Sequence, residues 1–216
     1  MTLTDLARKH GTDKFEHGFC PFYERFFGPV REDVVRILEI GLADGGSARM
    51  WLDYFPKAEV YGLDNGLYGD RGRWPDDPRF HALLGDQSQR DILAKAAARG
   101  PFDIVIDDGS HTMHDQQVSL GVLWPQTLKY YVVEDLHTSF MPNISLYTGP
   151  HVSYSYPTGV DDPEDTTYDL LLGFRDGEKW GRTYMTEAEY SQIRPKIHVF
   201  EPSRQHITAV LERMAE

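Results

Sequence analysis

Val34-Val-Arg-Ile-Leu-Glu-Ile-Gly-Leu-Ala-Asp-Gly-Gly-Ser-Ala-Arg-Met-Trp-Leu-Asp-Tyr54 reads as strand, glycine turn and helix. The first seven residues form a short run rich in β-branched side chains, Gly41, Gly45 and Gly46 interrupt it, and Met50, Trp51 and Tyr54 then recur at helical spacing. The alternation continues. Residues 58–64, 101–107 and 130–134 are further strand candidates, with helical patterns at 91–99 and 115–123. Strands alternating with helices predict an α/β fold, a mostly parallel, doubly wound sheet with helices on both faces. Residues 196–201 read as a late strand, and 203–214 as a closing amphipathic helix capped by Ser203.

The chain has 216 residues, 40% hydrophobic and 26% charged, enough to bury one full core. We read 1–216 as a single domain, with residues 1–33 as a helical cover. Residues 138–180, rich in Tyr, Pro, Gly and Asp, read as an insertion over the active face. Lys and Arg number 22 against 34 Asp and Glu, a formal charge of −12, which excludes a phosphate-backbone grip and makes nucleic acid a poor partner. Cys20 is the single cysteine, so no internal disulfide forms and it reads as a packing residue. The first residues lack the apolar core of a signal peptide and no apolar run reaches the ~18 residues of a membrane span, so a cytoplasmic protein without membrane insertion is expected. Phe15, Phe19, Phe22, Phe26 and Phe27 fit a site cover, a homodimer contact or plain core equally well.

The glycine turn lies where open α/β sheets receive ligands, at the carboxyl end of the first strand. Gly41 permits the tight turn, and Gly45 or Gly46 a close backbone approach to a ligand. Asp64, ending the second strand, is placed to accept hydrogen bonds from ribose hydroxyls. Glu39, two residues before Gly41, suits the cationic methionine part of S-adenosylmethionine better than an anionic pyrophosphate. Asp86 and Gln87 in the turn after Leu84 are candidates for the adenine side. A dinucleotide reading through Gly41, Ala43 and Gly46 stays open, and with it an NAD-dependent oxidoreductase.

Asp107-Asp-Gly-Ser-His111 closes the third of these strands and Glu134-Asp135 the fourth. Carboxylates so crowded repel one another unless a cation is bound, and hard oxygen donors with no cysteine nearby select Mg²⁺ or Mn²⁺. Asp108, Glu134 and Asp135 are the expected ligands, with Asp107 nearer the cofactor. His111, across a glycine turn from Asp108, is the expected general base. His114 reads either as a second lining group or as the start of the next helix.

Gly11-Thr-Asp-Lys14, Leu38-Glu-Ile-Gly41, Met50-Trp51, Tyr54-Phe-Pro56, Val60-Tyr-Gly-Leu-Asp64, Gly85-Asp-Gln87, Ile104-Val-Ile-Asp-Asp-Gly-Ser-His111 and Val132-Val-Glu-Asp-Leu136 together resemble the macrocin and mycinamicin sugar O-methyltransferases, over roughly residues 3–140. The resemblance implies a Rossmann-like class I methyltransferase fold, S-adenosylmethionine and a divalent metal as cofactors, and a sugar hydroxyl as acceptor. It also implies that Asp108, Glu134 and Asp135 bind metal and that His111 is the base. Relatives act on deoxysugars of macrolides, and similar actinobacterial enzymes on rhamnose or mannose units of glycolipids and polysaccharides. Trp124-Pro-Gln-Thr-Leu-Lys-Tyr-Tyr131 lacks the Gly-Gly turn common in that family, and nothing after Phe140 follows its pattern. In that private stretch Tyr147, Tyr154 and Tyr156 read equally as sugar-stacking faces or as packing of a lid. A catechol or phenol acceptor, chelated like a vicinal diol, is the alternative, and a non-catalytic cofactor-binding module a further one.

Overall fold

A computed structural model describes residues 1–140, 145–149, 152–155, 166–177, 183–203 and 206–214, with backbone alone at 145–149, 152–155 and 203. The expected strand, turn and helix are β1 (Arg36–Ile40) and α3 (Gly46–Tyr54), preceded by α1 (Leu3–His10) and α2 (Phe19–Phe27). There follow β2 (Glu59–Asp64), β3 (Phe80–Leu84), α4 (Arg90–Ala97), β4 (Phe102–Asp107), α5 (Met113–Leu123) and β5 (Thr127–Val133). Beyond the five strands lie a hairpin of β6 (Ser145–Gly149) and β7 (Val152–Ser155), helices α6 (Thr167–Asp176) and α7 (Glu187–Gln192), and strands β8 (Pro195–Ser203) and β9 (His206–Arg213).

The main sheet runs β3-β2-β1-β4-β5-β9-β8. The first five strands are parallel, and β9 lies antiparallel between β5 and β8. Strand order reverses between β1 and β4, so a crevice opens at their carboxyl ends. Alternate residues feed two cores: Ile37, Ile104, Ile106, Val132 and Val210 pack under α1–α3, while Leu38, Ile40, Val105, Val133 and Leu211 pack under α4–α7.

One local expectation is corrected and one strand is added. Residues 203–214 do not form a helix: His206–Arg213 is β9, because Ile207 to Leu211 are buried on both faces once the segment pairs with Tyr130–Val133 on one side and with β8 on the other. A short apolar run fits either element, and the open edge of β5 decides. Strand β3, absent from the sequence reading, is an edge strand whose residues are all partly or fully exposed, so it carries no buried pattern to read. The N-terminal aromatics are core rather than an open surface: Phe19, Phe22, Phe26 and Phe27 are buried and Phe15 packs against them. Cys20 is buried among them, and desolvation pushes its thiol up to about 12, as suits a packing residue. Among the described residues no helix is long and apolar enough to cross a membrane.

Candidate active site

The turn after β1 is built by contacts within the protein. Gly41 has φ +85°, and a Cβ there would sit 2.0 Å from the backbone oxygen of Asp108, so glycine is demanded by the neighbouring β4 loop. Gly45, at φ +74°, lies under Trp74 and Pro75, and a Cβ on it would come within 3.1 Å of the Trp74 Cα. Asp64 ties this turn to β2: Oδ2 accepts from Leu42 N at 2.8 Å and Oδ1 from Gly66 N at 2.5 Å. Each carboxylate oxygen keeps a further lone pair for a ribose hydroxyl.

Glu39 is fully buried and accepts from Ser47 Oγ (2.7 Å) and Trp51 Nε1 (3.0 Å), both on α3. Burial pushes its carboxyl up to about 7, against the pull of Lys14. The unfolded carboxyl releases its proton near 4.5 and the folded one near 7, so between those values the folded state holds more protons and stability falls as pH rises. That gap corresponds to roughly 3 kcal/mol. Glu39→Gln keeps an acceptor for Trp51 and loses the titration. Urea unfolding at pH 5 and pH 8 is therefore expected to show the variant gaining on the wild type at the higher pH, and equal differences at both would show that the buried charge costs nothing.

Beside β1, the ends of β4 and β5 bring the acidic doublets together with Lys14. The lysine, 1% exposed, donates to Asp108 Oδ2 at 2.5 Å and Glu134 Oε1 at 2.9 Å, and lies 3.7 Å from Glu39 Oε1. Burial alone would lower the ammonium's pKa, but Asp108, Glu134 and Glu39 outweigh it and hold the group well above its usual range. Gly11 in the left-handed conformation ends α1 and turns the Thr12–Lys14 stretch inward. Sequence reasoning quoted this motif without giving Lys14 a role. The crowded carboxylates signalled the need for a cation, but nothing local in the sequence singled out Lys14, whose partners lie 94 and 120 residues away.

Asp108, His111 and Asp135 offer ligand atoms that all lie within 4.8 Å of one another, each residue partly accessible. His111 Nε2 is 3.3 Å from Asp135 Oδ2, and His111 Nδ1 is buried without a hydrogen-bond partner among the described residues. Three non-glycine residues of the described chain have positive φ, Ala43 (43°), His111 (59°) and Asp135 (54°), and they stand at the carboxyl ends of β1, β4 and β5. Strain of this kind concentrates at functional sites. The partly accessible carboxylates of Asp108 and Asp135, with the buried Glu134 and Glu39 near Lys14 behind them and His111 alongside, fit a divalent cation.

The other expected residues take different places. Glu134, 2% exposed, stands outside that three-residue cluster and faces Lys14. Asp107 is fully buried, receives Gln87 Nε2 at 3.2 Å and is pushed by burial up to about 7. Gln87 also accepts from Ser110 N at 2.7 Å and so braces the loop that carries Asp108 and His111. Asp86, half-buried, accepts from Ser88 N at 2.9 Å and shapes its own turn. His114 lies in the first turn of α5, 2.8 Å from Asp115 and against Tyr184, outside the cluster. Tyr147 and Tyr154 pair across β6 and β7, while Tyr156 lies outside the described residues.

No family model matches the chain. Its sequence is 40% identical over 152 residues to the 8-demethyl-8-(2-methoxy-alpha-L-rhamnosyl)-tetracenomycin-C 3'-O-methyltransferase of Streptomyces olivaceus, covering 65% of this chain and 38% of that one. It is 38% identical over 160 residues to the mycinamicin VI 2''-O-methyltransferase of Micromonospora griseorubida, covering 68% and 39%. Among solved structures, the MycE methyltransferase of the mycinamycin biosynthetic pathway in complex with Mg and SAH superposes with a TM-score of 0.76 at 30% identity, over 98% of this chain and 54% of that one. The chain thus spans about two-fifths of the curated relatives' length and about half of the solved chain. It is a relative of the macrocin and mycinamicin-type sugar O-methyltransferases and has the Rossmann-like class I methyltransferase fold.

Proposed function

From this kinship we propose that the chain is an S-adenosylmethionine- and Mg²⁺-dependent O-methyltransferase that acts on a sugar hydroxyl, in a deoxysugar of a natural product or a rhamnose or mannose unit of a glycolipid or polysaccharide. The observation that carries the reading is the cluster of Asp108, His111 and Asp135 at the carboxyl ends of β4 and β5, beside the β1 turn. MycE has been solved with Mg, SAH and mycinamycin VI together, which supports the same cofactor pair here.

Asp108 and Asp135 would hold the ion, Mg²⁺ or Mn²⁺, with Glu134 behind them as the third carboxylate, tied to Lys14. Glu39 and Asp64 flank the cofactor's place at the ends of β1 and β2, with Gly41 and Gly45 shaping the turn between them. Asp86 would border the adenine side of a bound cofactor; Gln87 and Asp107 act from behind by holding the Asp108–His111 loop. When bound, the cofactor supplies an electrophilic methyl group and the ion a charge that eases loss of the acceptor's proton. His111 Nε2 faces the cluster, so it is the atom that takes this proton, and Asp135 at 3.3 Å stabilises the resulting imidazolium. Holding hydroxyl and methyl in line supplies much of the remaining rate.

The acceptor-binding insertion is assigned to residues 138–180 and its wall to 140–156, of which 141–144, 150–151 and 156 lie outside the described residues, and a homodimer in the cytoplasm is the working assembly. Purified protein should release S-adenosylhomocysteine with methyl glycosides in preference to catechols. S-Adenosylhomocysteine, and not NAD(H), should raise its melting temperature; the reverse preference would restore the oxidoreductase alternative. EDTA is expected to abolish turnover and Mg²⁺ to restore it, and turnover indifferent to chelation would remove the metal from the mechanism.

A further inference from the structure

We propose that His17, Asp135 and His206 form a second metal site, one for a first-row divalent transition ion. Their ligand atoms all lie within 4.8 Å of one another and all three residues are partly accessible, so an ion can enter. The two imidazoles lie with centroids 4.2 Å apart and planes inclined by 19°, so that a turn of one ring out of this stack brings both in-plane lone pairs onto one ion, and His206 Nδ1 is buried with no hydrogen-bond partner among the described residues. Three distant segments converge here: the turn before α2, the exit of β5 and the first residue of β9. Asp135 arrives in a left-handed conformation, φ 54°, that an aspartate adopts at a cost. A third imidazole, His137, stands with Nδ1 3.4 Å from Asp135 Oδ1.

The chemistry differs from that of the neighbouring cluster. The carboxylate oxygens of Asp108 and Asp135 suit a hard ion such as Mg²⁺, whereas two imidazoles and one carboxylate suit Zn²⁺, Co²⁺, Ni²⁺ or Fe²⁺. Asp135 belongs to both sets, so an ion on the imidazole side would place positive charge beside the ligand that the proposed Mg²⁺ site uses. The pair of histidines does not depend on methyl transfer taking place.

The test is a Co²⁺ titration of the metal-stripped chain in excess Mg²⁺, followed by the visible absorption of bound Co²⁺. Wild type is expected to develop the band to one equivalent. His17→Ala and His206→Ala should each weaken binding by more than the ~10- to 100-fold that loss of an outer-shell partner costs, and Asp108→Asn should leave it intact. A wild type without the band, histidine variants that titrate as the wild type does, or a band lost only in Asp108→Asn would overturn the proposal. Should the variants fail to fold, wild type decides alone: Co²⁺ should block diethyl pyrocarbonate modification of His17 and His206, and unprotected histidines would be decisive against the site. The readout is spectral and chemical, so an inactive methyltransferase would not be mistaken for an absent second site.

Discussion

Replacing His111 with alanine is expected to cut methyl transfer by about 10²- to 10⁴-fold while S-adenosylhomocysteine binding changes little. The side chain stands partly open at the crevice, 22% exposed, so its removal leaves no sealed core cavity and stability should hardly move. Its Nε2 faces Asp135 across 3.3 Å, and the surrounding structure keeps both residues at positive φ. Alanine retains Asp108, Asp135 and the β1 turn, which is why cofactor affinity should survive. The deciding measurement is a single-turnover rate beside a calorimetric titration with S-adenosylhomocysteine. A variant that transfers methyl at the wild-type rate would end the base assignment, and one that also loses cofactor would recast His111 as a structural residue.

Lys14→Met should be the most damaging single change to stability. It leaves Asp108, Glu134 and the nearby Glu39 around a buried methyl thioether, with no ammonium to offset them. Breaking a buried ion pair from one side costs about 3–5 kcal/mol, a large share of a domain's total stability. The loss should deepen with rising pH. Glu39 already holds its proton up to about 7 because of burial, and without the lysine its carboxyl moves higher still, so the folded state is penalised further as the solution turns alkaline. Urea unfolding of both proteins at pH 5 and pH 8 measures this directly. A divalent ion at the neighbouring cluster would share Asp108 with Lys14 and offset part of the same charge, so Mg²⁺ should raise the variant's melting temperature more than the wild type's. Equal unfolding midpoints for variant and wild type would show that Lys14 neutralises nothing that matters.

These two expectations draw on different layers of information. His111 was legible because Asp-Asp-Gly-Ser-His closes a β-branched run, and a strand's end in an α/β sheet is where ligands are met. The role of Lys14 was not legible, because its partners Asp108 and Glu134 lie 94 and 120 residues away and no local pattern reports such a pairing. Glu39 and Asp64 were found at the right strand ends, yet their hydrogen bonds to α3 and to the Leu42 and Gly66 amides follow only from the packed turn.

Sequence by itself determined the alternation of β1, α3, β2, α4, β4, α5 and β5, the two-faced sheet, and the acidic ends of β4 and β5, because each is written in the period of neighbouring side chains. Tertiary structure decided the rest. The run Ile207–Leu211 became a strand because β5 presented an unpaired edge, and β3 went unread because an edge strand open to solvent carries no burial pattern. Lys14, His17 and His206 reached the acidic site only when α1, α2 and β9 packed against the sheet. Local periodicity encodes which face of an element is buried; which distant charges and imidazoles then meet depends on surfaces that exist only after the elements have assembled.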